Sequence, residues 1–164
     1  MRLALEQARI SLTEGEFPVG CVLVKGGKVV ATGRRYNSEG AGANELDHAE
    51  VVTLRNLLQR NPEINCAEIT AYSTMEPCLM CYATMLLSGI RRFVWAYEDV
   101  MGGGTGLDLS GLPSLYSSMQ VVQVPAVLRE ESLSLFANFF KNYSYWQGSI
   151  LARYTLEQYN NLHS

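Results

Sequence analysis

Four side chains of the 164-residue chain have types and spacing that can do chemistry: His48, Glu50, Cys78 and Cys81. One imidazole and two thiolates make three ligands soft enough for zinc. A structural zinc site normally closes with four protein ligands, whereas a catalytic site keeps one position for water. No fourth donor has metal-ligand spacing. His163, the other of the two histidines, is next to last, and chain ends commonly fray. Cys21 and Cys66 stand apart and are expected to be plain buried thiols. Three ligands plus water are therefore expected, with one Zn2+ per chain. Catalytic zinc lowers the pKa of its water to about 7. Glu50 lies two residues from His48, about 200° round a regular helix. It should stand beside the metal rather than on it, placed to take that proton and deliver it to a substrate.

The elements that must assemble these residues follow from hydrophobic period and turn chemistry. Leu5, Ala8 and Leu12 predict an amphipathic helix over residues 2–14, ending at Gly15. "VGCVLVKGGKVVATG" reads as a hairpin around Gly26-Gly27, and residues 34–47 as a loop. A helix starts at His48 and closes before Pro62; a strand follows over 68–74. Pro77 suits the first turn of a helix that stops near Gly89, because its missing N–H is not needed there. Cys78 and Cys81 then share one face at a helix N-terminus, where the dipole favours thiolate. "RRFVWAY" and "MQVVQVPAV" read as strands, and "GGGTG" at 102–106 as a flexible hinge or turn. Two helices are expected around Glu130–Asn142 and Tyr145–Tyr159. The alternation predicts one α/β domain over residues 1–164. It is a three-layer α/β/α sandwich with a mixed five-stranded sheet and helices on both faces.

Composition narrows the partners. With 48% hydrophobic residues the chain can bury a proper core, and no apolar run approaches the roughly 20 residues that span a bilayer. No signal peptide is evident, so a soluble cytoplasmic protein with no membrane partner is expected. A formal net charge of −3 suits nucleic-acid binding by phosphate neutralisation poorly. Arg34-Arg35 and Arg91-Arg92 are expected to be solvated.

The pattern H-x-E followed by P-C-x-x-C resembles the signature of zinc-dependent nucleobase deaminases. Here it reads His48-Ala49-Glu50 and Pro77-Cys78-Leu79-Met80-Cys81. The similarity runs on through "FPVGCVLVKGGKVVATG", "HAEVVTLRNL", "TMEPCLMCYATMLLSGIRRFVWAYED" and "SLFANFFK". These look like successive blocks of bacterial tRNA adenosine deaminases and their guanine deaminase relatives, within the cytidine/deoxycytidylate deaminase superfamily. The resemblance implies a cytidine-deaminase-like fold, a homodimer, zinc on His48, Cys78 and Cys81, and Glu50 as the catalytic proton shuttle. It also implies substrate contacts: Phe17 packing on the base, Asn37 and the Ala49 N–H hydrogen bonding to it, and Asp99 in the adjacent loop.

The chain departs from the tRNA enzymes in four respects. Glu45-Leu46-Asp47 replaces their usual Pro-Thr-Ala, and Met101 stands where they tend to carry lysine. Asn37 follows Gly33 by four residues rather than two. Residues 129–164 hold three basic side chains against three glutamates, with an aromatic tail of Tyr143, Tyr145, Trp146, Tyr154 and Tyr159. A packed tail or a dimer contact is expected of it. The favoured substrate is then a small amino-heterocycle of purine type, free or as nucleoside. A tRNA adenosine is the alternative, and a non-catalytic zinc-containing binding module the alternative of another class. Met85, Leu86 and Leu87 offer apolar surface beyond one helical stripe, in keeping with a dimer.

Overall fold

The computed structural model describes residues 1–164. Five strands form one mixed sheet: β1 (Gly20–Lys25), β2 (Lys28–Arg34), β3 (Ile69–Met75), β4 (Arg92–Tyr97) and β5 (Val122–Val124), in the order β2-β1-β3-β4-β5. β1 runs antiparallel to both β2 and β3, whereas β3, β4 and β5 are parallel. The antiparallel pair needs only the two-residue Gly26-Gly27 turn, and both glycines take positive φ, +56° and +76°. The parallel strands need crossovers, which helices supply. The helices are α1 (Arg2–Thr13), α2 (Ala49–Arg60), α3 (Leu79–Leu87), α4 (Ser114–Ser117), α5 (Arg129–Asn142) and α6 (Ile150–His163). The three-layer α/β/α architecture expected from the sequence is the one observed. No helix is long and apolar enough to cross a membrane.

Two glycines set the layer spacing. Cys21 pairs with Gly33 across the hairpin, so Gly20, one residue earlier, faces the other side of the sheet. A Cβ at Gly20 would lie 2.1 Å from the Ala4 carbonyl of α1, and one at Gly33 would lie 2.3 Å from the Thr53 hydroxyl of α2. Both helices can therefore approach the hairpin backbone from opposite faces. α1 packs on β1, β2 and β3, and α5 packs on β4 with α6 against it. α2 covers β1 and β2 and meets α3. The core is one cluster of 23 buried hydrophobic residues running from Val19 to Ala152.

Several elements differ from expectation. The last helix begins at Ile150, not near Tyr145. Gly148 takes φ +83°, and the Ser149 hydroxyl accepts the Ala152 N–H at 3.0 Å, a serine N-cap that fixes the start. Residues 143–149 are thereby free to turn back over the molecule. β5 is only three residues, all exposed, and α4 is an unforeseen single turn after Pro113. Met85 and Leu86 are buried, leaving only Leu87 of that trio exposed. Arg35 is 2% exposed rather than solvated. Its N–H continues the strand by pairing with Val19 O at 2.9 Å, which draws the side chain under the 36–47 loop. Arg34 is half-buried, and its guanidinium pairs with the Glu14 carboxylate.

The end of β4 is tied to α5 and α6 through Glu98. Its carboxylate takes two hydrogen bonds from Arg129, Nε to Oε2 at 2.8 Å and Nη2 to Oε1, and one from the Tyr154 hydroxyl at 2.8 Å. Burial pushes the Glu98 pKa up, but these donors outweigh it and hold the carboxyl below the usual range. A depressed folded pKa contributes stability that is present above the unfolded value of about 4.3 and lost as pH falls through the folded value. Glu98→Gln should therefore cost about 1–2 kcal/mol at pH 7. The difference in Tm from the parent should shrink only below about pH 4. Thermal denaturation of both proteins across pH 3–7 checks this; a pH-independent difference would contradict it.

Candidate metal centre

α2 and α3 start side by side, and their first residues carry the donors. His48 is the N-cap of α2 and Cys78 the N-cap of α3, both in extended backbone (φ −62°, ψ 144° and φ −64°, ψ 169°). Cys81 follows one turn inside α3 and is fully buried. Both sulfurs lie 3.5 Å from His48 Nδ1, and the three donor atoms are within 4.8 Å of one another. A tetrahedral zinc with Zn–S near 2.3 Å and Zn–N near 2.0 Å needs S···N of about 3.5 Å. The donor chemistry and the spacing both fit that ion. The cluster contains three donors and no fourth. His163 lies on α6 with its ring stacked on Tyr159, and Cys21 and Cys66 are buried free thiols.

The electrostatics favour ligand-ready groups. The Cys81 thiol and the His48 imidazole beside Cys78 pull its pKa down to about 4, against the opposing effect of burial. Cys81 is pushed the other way by the Cys78 sulfur, burial and Glu50. Cys78 is thus the sulfur that ionises the more easily. An incoming cation would displace the proton of Cys81.

Glu50 is 3% exposed and stands on the second residue of α2, so its side chain leaves the helix on a different side from His48. Ser73 of β3 donates to Glu50 Oε1 at 2.6 Å, and Cys81 Sγ lies 3.6 Å from Oε2. Burial raises the carboxyl pKa, with the Ser73 hydrogen bond opposing it in part.

A cavity of about 120 Å³ opens beside these residues. His48, Ala49, Glu50, Cys78, Phe17 and Asp99 line it, so most of the expected site residues meet there. Phe17 is also a core aromatic, with ring centroids 5.2 Å from Phe136 and 5.6 Å from Tyr145. Ala49 is the first residue of α2, where an N–H has no helical carbonyl to pair with. The Asp99 carboxylate accepts the N–H groups of Met101 and Gly102 at 3.0 and 2.9 Å, which shapes its own loop.

Asn37 is not among the lining residues. It adopts φ +57°, and its amide donates to Asp47 Oδ2 at 2.8 Å. Its observed work is to hold the loop, as the shifted spacing after Gly33 foreshadowed. The 102–106 segment forms turns, one of the two expected forms, but it is packed rather than hinge-like. A Cβ at Gly104 would lie 2.6 Å from Leu79 Cα, and the Gly104 N–H bonds Pro77 O at 2.9 Å. This glycine run is a backbone buttress on the start of α3.

Of the lining residues that sequence reasoning did not place in the site, four are polar or charged and hydrogen-bonded: Arg35, Glu45, Glu76 and Tyr145. Glu76 accepts from Thr105 Oγ1 at 2.5 Å and from the Asp99 N–H at 3.2 Å. Tyr145 donates to Glu45 Oε1 at 2.9 Å. Its pKa is pushed up to about 12, chiefly by burial, so it remains a donor at neutral pH. For Glu45 the signal was its substitution for the usual proline. For Tyr145 the only signal was Gly148-Ser149, which ends the turn before α6.

Residues 1–97 match the family described as the cytidine and deoxycytidylate deaminase zinc-binding region. Among curated relatives, the tRNA-specific adenosine deaminase of Bacillus subtilis is 29% identical over 141 residues, 86% of this chain and 86% of that protein. A tRNA-specific adenosine deaminase subunit of Schizosaccharomyces pombe is 32% identical over 142 residues. That match takes in 85% of this chain but only 36% of the yeast protein. A solved structure from a study of A-to-I editing by tRNA:A34 deaminases superposes with a TM-score of 0.71 at 28% identity. It covers 82% of this chain and 96% of that one. With more than half of its length matched, the chain belongs to the cytidine and deoxycytidylate deaminase family with its zinc-binding region.

Proposed function

We propose that the protein is a hydrolytic deaminase of a purine-type nucleobase, with an adenosine presented in a tRNA loop as its substrate. The observation that carries the chemical reading is the buried carboxylate of Glu50, beside a three-donor set but outside it. His48, Cys78 and Cys81 would hold zinc, which when bound supplies the Lewis acidity that makes water nucleophilic near neutral pH.

Glu50 takes one proton from water and passes it to a ring nitrogen, and later moves the second, from the added hydroxyl, to the departing amine. Water adds at the carbon bearing the amine, the C–N bond breaks, ammonia leaves and a carbonyl remains. Ser73 fixes Oε1, which leaves Oε2, facing Cys81 Sγ at 3.6 Å, to exchange the proton. The raised pKa of the buried carboxyl suits this task, because it holds a proton more readily than an exposed glutamate does. Phe17 would wall one face of the base, the Ala49 N–H would meet a ring acceptor, and Asp99 would flank the entrance. A zinc-containing module without catalysis gives no account of Glu50, since burying a carboxylate is costly and binding the metal does not require it.

The tRNA substrate is supported by the names of the relatives, and they favour it over the small amino-heterocycle expected from composition. One observation favours the smaller substrate as a second reading. Glu45, Glu50, Glu76 and Asp99 line the cavity with Arg35 as the sole arginine or lysine, and Arg35 is tied to Glu45. An exposed apolar pair on α3, Leu79 and Leu87, supports the homodimer.

Replacing Glu50 with Gln should lower turnover by about 10²–10⁴-fold while zinc content stays at one per chain. Metal analysis alongside ammonia release measures both; near-parental turnover would remove Glu50 from the proton path. For the substrate, an anticodon stem-loop with adenosine at the wobble position should be converted to inosine, with binding that weakens steeply as salt rises. Ammonia release from free purines or nucleosides, with the stem-loop left intact, would replace this substrate with the smaller one.

A further inference from the structure

We propose that Glu45 is a positioning residue for the metal-binding imidazole, and that Arg35 and Tyr145 hold Glu45 in place. This rests on the reading of His48 as a metal ligand. His48 presents Nδ1 to both sulfurs, which leaves Nε2 as the outer nitrogen. Glu45 Oε2 lies 3.3 Å from that Nε2. An N–H on the outer nitrogen, donated to a carboxylate, fixes the tautomer so that the Nδ1 lone pair faces the metal. It also sets the ring orientation and strengthens the imidazole as a ligand.

Glu45 is itself held. Its side chain is 60% exposed, yet both oxygens are engaged. Tyr145 donates to Oε1 at 2.9 Å, and Arg35 Nη2 donates to Oε2 at 3.3 Å. Arg35 is anchored in turn through Nε to Ser38 Oγ at 3.3 Å and Nη2 to Asn44 O at 3.0 Å. Its Nη1 is buried with no partner, so Glu45 is the one carboxylate paired with a nearly waterless guanidinium. Removing one partner of such a pair is costly. The contacts join three segments that are far apart in sequence: the end of β2, the approach to α2 and the turn before α6.

The test is zinc affinity, measured on the full chain by competition with a chromophoric chelator. Glu45→Gln should weaken zinc binding about 10–100-fold. Glu39→Gln, an exposed carboxylate of the same loop, should stay within about twofold of the parent, since it touches neither histidine nor metal. Parental affinity in Glu45→Gln overturns the proposal. So does full recovery of affinity in the double variant Arg35→Met/Glu45→Gln, because that assigns the loss to the unpaired guanidinium alone. His48→Ala separates the two levels: parental zinc binding there would refute the ligand reading itself and the positioning role with it.

Discussion

Two helix N-termini meet at one point, and neither is capped by a side-chain hydrogen bond. The N-cap residues of α2 and α3 are a histidine and a cysteine, where serine, threonine or aspartate would ordinarily satisfy the free N–H groups. Each missing cap forgoes about 1 kcal/mol. In return, the positive ends of two helix dipoles converge on a cluster that gathers negative sulfur. The rest of the fold serves that convergence. β1 and β3 form the centre of the sheet, and Gly20 and Gly33 let α1 and α2 close on the hairpin from opposite sides. Gly104 lets the 99–106 segment press on the start of α3.

Burial of Glu50 follows from the same arrangement. A carboxylate on the second residue of α2 has nowhere to go but the space between helix and sheet, where β3 supplies one hydroxyl, Ser73, to meet it. Desolvation then raises its pKa, so the carboxyl holds a proton more readily than an exposed glutamate would. The acidic lining of the cavity acts differently. Asp99 is occupied by N–H groups of its own loop, and Glu45 and Glu76 by donors from distant segments, so they shape walls as well as charge them.

The centre was legible in the sequence because its signals are local and chemically rare. Two cysteines three apart after a proline, and a histidine two before a glutamate, place their own side chains once the helices are assigned. The alternation of strands and helices likewise carried the layer order. The walls were not legible, because they come from segments whose positions only tertiary packing decides. Arg35 looks like half of a surface arginine pair until its N–H is seen to extend β2 and carry the side chain inward. Tyr145 reads as helix until Gly148 and Ser149 move the start of α6. The glycines at 102–104 suggest freedom, whereas the structure uses their lack of a side chain for contact. Asn37 shows the limit of pattern matching: the residue type agrees with the family, but the longer loop gives its amide to Asp47.

The account turns on a metal held by two sulfurs and one imidazole, with the remaining position open to solvent. X-ray absorption at the zinc edge of the purified protein addresses that count directly. Two sulfur neighbours near 2.3 Å and two nitrogen or oxygen neighbours near 2.0 Å are predicted, with scattering from a single imidazole. Three or four sulfurs, or a second imidazole in the shell, would mean a site closed by protein and would contradict the account.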